Sequence, residues 1–140
     1  MAKHTVERFM TANPVAITSD RTLADAHRVM RERQIRHLPV VDSGRLVGVV
    51  SQRDLYLLET LQGIDPDAER VEEAMTAEPF TVALDAPLED VASVMAERRY
   101  GSAVVLQGGE VVGLFTTVDA LRALATVSRG ARRGGTARES

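Results

Sequence analysis

The chain repeats itself at an offset of 65 residues, and this repeat constrains the fold more than any local pattern does. Between Val6 and Tyr56, eighteen positions are identical to the position 65 residues further on, and no gap is needed. The segment VERFMTANP at 6–14 aligns with VEEAMTAEP at 71–79. The sequence therefore predicts two copies of one unit, arranged as a pseudo-two-fold pair.

Each copy predicts the same order of elements. A short apolar segment after a proline, PVAIT or PFTVA, is typical of a strand. Leu23, Ala26 and Met30 form a helical stripe, which Val91 and Met95 repeat. Two apolar runs around DSGR or QGGE indicate a β-hairpin, and a capped run of helix formers follows. The fold class is therefore α/β (α+β): two βαββα units that pack through their sheets, because one unit is too small to bury both faces of its sheet.

The domain boundaries follow from the repeat. Residues 1–65 make the first unit and 66–127 the second, with a linker near 61–69. Residues 128–140 are rich in Arg and Gly without apolar periodicity, which predicts a disordered tail.

Composition excludes several classes of protein. The chain has no cysteine, which excludes disulfides, thiolate chemistry and cysteine-ligated zinc. The start of the chain lacks the pattern of a signal peptide and no run approaches eighteen apolar residues, so we expect a cytoplasmic protein without membrane contact. The net charge is −3, and the tail is basic, so the body is acidic and disfavours nucleic acid.

The most suggestive motif is GVVSQRD at 48–54, repeated as GLFTTVD at 113–119. It places a glycine, a hydroxyl and a carboxylate at a helix N-terminus, where N–H groups favour phosphate and the carboxylate can accept hydrogen bonds from ribose hydroxyls. The same residues are also an ordinary N-cap and capping box. The motif alone leaves both interpretations open.

The longer pattern resembles a known family over residues 6–127. MTANP with RHLPVVDSGRLVGVVSQRDL, repeated as MTAEP with GSAVVLQGGEVVGLFTTVD, is similar to a tandem pair of cystathionine-β-synthase (CBS) domains, the Bateman module. The resemblance implies βαββα repeats packed through their sheets, two clefts that bind adenosine-containing ligands, and pairing of two modules into a dimeric disc.

The resemblance also implies roles for individual residues. Asp54 and Asp119 would hold ribose hydroxyls, Ser51 and Thr116 would contact ribose or phosphate, and Gly48 with Gly113 would permit close approach. One cleft would combine Thr116 and Asp119 with Ile17, Thr18, Ile35, Arg36 and His37. The other would combine Ser51 and Asp54 with Val82, Ala83, Tyr100, Gly101 and Ser102.

Cations are distributed unequally between the copies. Gly101 and Ser102 stand where the first copy has Arg36 and His37, and Val118 stands where it has Arg53. If the clefts are shared between repeats, one receives Arg36 and His37 and the other Arg53, so each can accept a phosphate chain. Exposed arginines and a half-buried histidine are the simpler interpretation. Four apolar residues could sandwich an adenine or belong to the core: Ile17, Ile35, Val82 and Tyr100.

Enzymatic activity is not expected. Ser51, His37 and Asp54 are the only candidates for a nucleophile, base and orienting group, and the second copy has no histidine. The three histidines lack the spacing of metal ligands, so no metal site is expected. Nucleic-acid binding would rest on the tail and on the arginines at 28, 31 and 33, which are more typical of a solvated helix face.

The sequence thus predicts a regulatory sensor that binds AMP, ADP or ATP between the repeats and signals through conformational or oligomeric change. S-adenosylmethionine and NAD share the ribose and adenine and are possible ligands; no obligatory cofactor is expected. A homodimer and an unidentified effector protein are the expected partners. The alternative is a ligand-free dimerisation or interaction module, in which the aspartates only cap helices.

Overall fold

The computed structural model describes residues 4–135, which form five α-helices and two β-sheets. None of these helices combines the length and the apolarity needed to cross a bilayer. A short 3-10 turn at Val71–Glu73 lies near the start of the second repeat, at the position that a short α-helix occupies in the first. The elements are α1 (Val6–Phe9), β1 (Thr11–Ala12), α2 (Leu23–Arg33), β2 (His37–Asp42), β3 (Arg45–Ser51), α3 (Gln52–Glu59), β4 (Thr76–Ala77), β5 (Thr81–Ala83), α4 (Leu88–Arg98), β6 (Ser102–Gln107), β7 (Glu110–Thr116) and α5 (Thr117–Gly135).

The βαββα order is confirmed, but the first strand is unequal in the two repeats. In the second repeat β5 runs parallel to β6, whereas in the first repeat the strand is reduced to one bridge between Ile17 and Val40. The backbone N–H of Val104 donates to the carbonyl of Phe80 at 2.9 Å. Pro39 occupies the position of Val104 in the first repeat, and a proline has no N–H to donate. This hydrogen bond is therefore lost, and the strand shortens.

The repeats exchange their first segments, which the sequence did not predict. β1 pairs with β7 of the second repeat and β4 with β3 of the first, giving sheets β1-β7-β6-β5 and β2-β3-β4. Val6 is fully buried in the core of the second repeat, and Val71 in that of the first. The sheets also meet, since β7 contacts β2 and β3. The sequence repeats are thus interlocked, and each core is completed by the other repeat.

The glycines of the two motifs permit close approach of protein and not of ligand. A Cβ at Gly48 would lie 2.8 Å from the carbonyl oxygen of Thr76 in the crossing strand β4. A Cβ at Gly113 would collide with the side chain of Met10, just before β1. The expectation that these glycines border the ligand is therefore corrected: they admit the exchanged segments.

The helix α5 continues to Gly135, beyond the predicted end of the second unit. The disorder expected for 128–140 is thus not observed for residues 128–135. Residues 128–135 include three glycines, which are poor helix formers, so the helix continues here because it starts upstream and propagation costs less than nucleation. The rest of the predicted tail, 136–140, lies outside the described residues.

Candidate functional site

Two clefts lie between the repeats, each beside one copy of the hydroxyl and aspartate motif. Cleft A, of about 720 Å³, is lined by Ser51 and Asp54. Cleft B, of about 800 Å³, is lined by Thr116 and Asp119. Each cleft takes the N-terminus of the last helix from one repeat and the residues before the hairpin from the other. The pseudo-symmetry expected from the repeat is present in both.

In cleft A the motif forms a helix cap and still has one carboxylate oxygen to offer. The Asp54 N–H donates to Ser51 Oγ at 3.1 Å, and the Ser51 N–H donates to Asp54 Oδ2 at 2.9 Å, a complete capping box on α3. Among the described residues, none donates to Asp54 Oδ1. Capping and ligand binding are thus compatible at Asp54, because they use different oxygens.

In cleft B the carboxylate is more deeply engaged. Asp119 is only 4% exposed. Its Oδ2 accepts from the Thr116 N–H at 3.0 Å and from Thr116 Oγ1 at 3.2 Å, and the Thr11 hydroxyl lies 3.4 Å from both oxygens. Arg122 stands 3.8 Å from Oδ1. Thr11 belongs to the exchanged strand β1, so Asp119 also ties the two repeats together.

Arginines outnumber carboxylates in both clefts. The arginines of cleft A are Arg36, Arg53 and Arg99, and its carboxylates are Asp54 and Glu78. The arginines of cleft B are Arg33, Arg36 and Arg122, and its one carboxylate is Asp119. In a chain of net charge −3, this concentration of cations favours an anionic ligand. Arg36 and His37, expected in only one cleft, line both.

His37 lies between the two clefts, at the start of β2. Burial of the imidazole lowers the pKa of His37 below its ordinary value of 6.5; Asp54 and Asp119 oppose this shift, and Arg36 adds to it. The neutral imidazole is therefore the favoured form in the folded protein.

We expect this histidine to make the fold less stable in acid. Below pH 6.5 the unfolded chain binds a proton at position 37 more readily than the folded chain does, so the free energy of unfolding falls as the pH is lowered. The urea midpoint, measured from pH 8 to pH 5, should fall less steeply in His37→Gln than in the wild type. Parallel curves for the two proteins would contradict this assignment.

Aromatic and aliphatic side chains form the apolar walls. In cleft A, Phe80 stacks on Tyr100 with ring centroids 5.3 Å apart. In cleft B, Ile35 and Val15 take the corresponding places. Tyr100 and Ile35 were among the predicted walls, whereas Phe80 and Val15 were missed.

Four predicted site residues line neither cleft. Ile17 is 7% exposed and packs in the core of the first repeat, and Val82 packs against the core of the second. Thr18 borders a separate cavity beside α2, and Ala83 lies further along β5. Val15 and Phe80 line the clefts instead, where the chain enters each sheet, and Ile17 and Val82, two residues further along, pack in the cores. For these two residues the prediction was two positions too far along the chain.

The sequence also missed residues at tight turns. Asn13 and Gln34 border cleft B, Glu78 and Arg99 border cleft A, and all four have positive φ, between 50° and 62°. Only Asn among these residue types is enriched in the left-handed region, so composition alone gave almost no signal. The pairing of positions 13 with 78 and 34 with 99 by the repeat offset was the one available clue.

The sequence profile described as CBS domain matches residues 6–58 and residues 71–126, one match for each repeat. The chain belongs to the CBS domain family. Its two matched segments together make a CBS domain pair, as the resemblance implied, and the order of helices and strands agrees.

Known proteins that resemble this CBS domain pair include enzymes and small modules. Inosine-5'-monophosphate dehydrogenase of Korarchaeum cryptofilum is 31% identical over 114 residues, which cover 81% of this chain and 23% of the enzyme. The chain spans less than half the length of the first two curated relatives it matches.

Two solved structures of CBS domain pairs contain adenosine compounds. The pair of protein MJ0100, in complex with 5'-methylthioadenosine and S-adenosylmethionine, has a TM-score of 0.80 at 25% identity and covers 89% of this chain and 98% of that one. CBSX2 of Arabidopsis thaliana, in complex with AMP, has a TM-score of 0.75 at 29% identity and covers 90% of this chain and 99% of that one.

Proposed function

We propose that this CBS domain pair is a regulatory module that binds an adenosine nucleotide in clefts A and B. The observation that carries the proposal is the Asp54 carboxylate, which caps α3 with Oδ2, accepts no hydrogen bond at Oδ1 from any described residue, and lines a cleft rich in arginine. The complexes of similar pairs with AMP and with S-adenosylmethionine support it. Binding would change the relative position of the repeats or the oligomeric state, if the ligand prefers one arrangement.

Each part of a nucleotide has a counterpart in cleft A. Asp54 Oδ1 would accept hydrogen bonds from the ribose hydroxyls, and the Phe80 and Tyr100 rings would contact the adenine. The phosphates would meet Ser51 and the guanidinium groups. In cleft B, Asp119 and Thr116 would act likewise. The arginines favour AMP, ADP or ATP over S-adenosylmethionine, which is a cation; NAD also carries phosphates.

The proposal includes no catalytic step. Ser51 Oγ accepts the Asp54 N–H in the cap, and among the described residues no side-chain hydrogen bond joins Ser51 to His37, its partner across β2 and β3. A nucleophile, a base and an orienting group are therefore not assembled as a hydrolytic triad. We infer that the module transmits its ligand-bound state to an effector protein. A nucleotide ligand also agrees with the cytoplasmic location expected from the sequence.

A thermal-shift titration tests ligand binding directly. The nucleotide-stripped protein would be titrated with AMP, ADP, ATP, NAD and S-adenosylmethionine, because a ligand of the native state raises the melting temperature by mass action. A saturable rise with at least one phosphorylated nucleotide is expected. No rise with any of the five, in a protein that stays folded, would favour the ligand-free assembly module.

We also propose a homodimer formed through the last helix of each repeat. Large apolar side chains on or just after these helices are 53–63% exposed: Tyr56, Leu57, Leu61, Val118, Leu121 and Leu124. Exposed apolar residues grouped in this way are typical of an interface.

Light scattering after gel filtration measures the mass of the particle and so tests the proposed homodimer directly. Leu121→Asp combined with Leu124→Asp should halve the mass of the wild-type particle, whereas Ser93→Asp, at an exposed position on α4, should leave it unchanged. A wild-type protein that is monomeric at micromolar concentration would contradict the dimer.

A further inference from the structure

Arg36 is shared by the two clefts. Among the described residues it is the one arginine that lines both, and it is exposed. It forms no salt bridge with any residue that the structure describes. Its backbone is held in place, since the Gln52 N–H donates to the Arg36 carbonyl at 2.9 Å and the Ile35 N–H donates to the Met30 carbonyl at 3.0 Å. A fixed backbone between two cavities thus carries one exposed guanidinium.

The repeat supplies no second arginine at this place. The position 65 residues after Arg36 is Gly101, whose carbonyl accepts the Thr117 N–H in the same way. A Cβ at Gly101 would lie 3.1 Å from His37 Nε2, closer than an ordinary contact. His37 therefore occupies the space that a side chain at 101 would need, and the two clefts share the one cation that the repeat supplies at this position.

We propose that clefts A and B compete for the Arg36 guanidinium, so that a phosphorylated nucleotide bound in one cleft weakens binding in the other. The inference rests on the proposed nucleotide binding. A guanidinium that donates two parallel N–H hydrogen bonds to a phosphate in one cleft is oriented toward that cleft. It cannot make the same contact in the second cleft at the same time. Each cleft keeps two arginines of its own, so the second ligand binds more weakly but is not excluded.

The size of the effect follows from the contact that is lost. One charge-assisted hydrogen bond corresponds to about a tenfold change in affinity or more. We therefore expect occupation of one cleft to raise the dissociation constant of the other by about tenfold. Adenosine has no phosphate, and it should bind to the two clefts independently.

Calorimetric titration with AMP separates this coupling from a simple difference between the clefts. Asp54→Ala reports cleft B alone and Asp119→Ala reports cleft A alone; Asp119→Asn replaces the latter if the alanine variant is not folded by circular dichroism. The product of the two stepwise association constants of the wild type, divided by the product of the single-cleft constants, gives the coupling factor. The expected factor is about 0.1 with AMP and 1 with adenosine.

The same titrations, repeated with Arg36→Ala added to each protein, test whether Arg36 causes the coupling. The factor with AMP should return to 1, whereas Arg53→Ala, which removes an arginine from cleft A only, should weaken cleft A and keep the factor near 0.1. A wild-type factor of 1, or a factor that Arg36→Ala leaves unchanged because the two phosphates repel each other, would overturn the proposal. Absence of AMP binding in every variant would instead overturn the proposed function itself, and this inference with it.

Discussion

Replacing Asp54 with alanine is expected to weaken AMP binding in cleft A by about 100-fold, because two hydrogen bonds from ribose hydroxyls to a carboxylate are lost. The same change removes one of the two hydrogen bonds of the capping box, from the Ser51 N–H to Asp54 Oδ2, and should lower the free energy of unfolding by about 1 kcal/mol. Calorimetry with AMP gives the first effect, and urea denaturation gives the second. The prediction thus assigns two separable roles to one side chain.

Asp25 provides a matched control for the Asp54 variant. It closes the capping box of α2 with Thr22, in the same geometry as Asp54 with Ser51, and it lines neither cleft A nor cleft B. Asp25→Ala should therefore lose stability to at least the same extent, since the side chain also pairs with Arg28 at 3.0 Å, and keep the affinity for AMP. Equal affinities of the two variants would show that Asp54 is only a cap.

Leu38→Ala is expected to produce the largest loss of stability, about 2–5 kcal/mol, and to do so in a single transition. Leu38 is fully buried in the core of the first repeat. Val71, which completes that core, comes from the second repeat, and Val6 of the first repeat completes the other core. Loss of packing in one core should therefore lower the stability of both.

The two tyrosines allow each repeat to be observed separately. Tyr56 lies in α3 and Tyr100 just before β6, and the chain has no tryptophan. Tyr100→Phe leaves a fluorescence probe in the first repeat, and Tyr56→Phe leaves one in the second. In combination with Leu38→Ala, both probes should report the same urea midpoint. Two separate midpoints, with only the Tyr56 signal shifted, would mean that the repeats unfold independently.

The local elements were predictable because their signals are local. The stripe of Leu23, Ala26 and Met30 is buried in α2, which begins after Thr22 in a capping box as expected. Ser51 with Asp54 could be recognised as a cap, and as a candidate ligand contact, from a spacing of three residues. Helix caps and apolar periodicity depend on residues within a few positions of one another, so the sequence of a short segment is sufficient to predict them.

The partners of those elements were not predictable in the same way. β1 and β4 are each two residues long and have the same sequence, Thr-Ala, which does not indicate that each strand pairs with the opposite repeat. Ile17 and Val82 were wrongly expected at the clefts, because an apolar residue in a strand can line a cleft or pack in the core and the sequence does not distinguish the two. Burial depends on what approaches from elsewhere in the chain.

By itself the sequence determined the duplication, the βαββα order and the caps, which the repeat offset and the local periodicities contain. The approximate position of the two clefts was implied by the resemblance to CBS domains. Tertiary structure alone decided the exchange of segments, the role of Gly48 and Gly113 in admitting it, and the sharing of Arg36. Each of these is a contact between residues far apart in the chain, whose energy exists only when both are brought together.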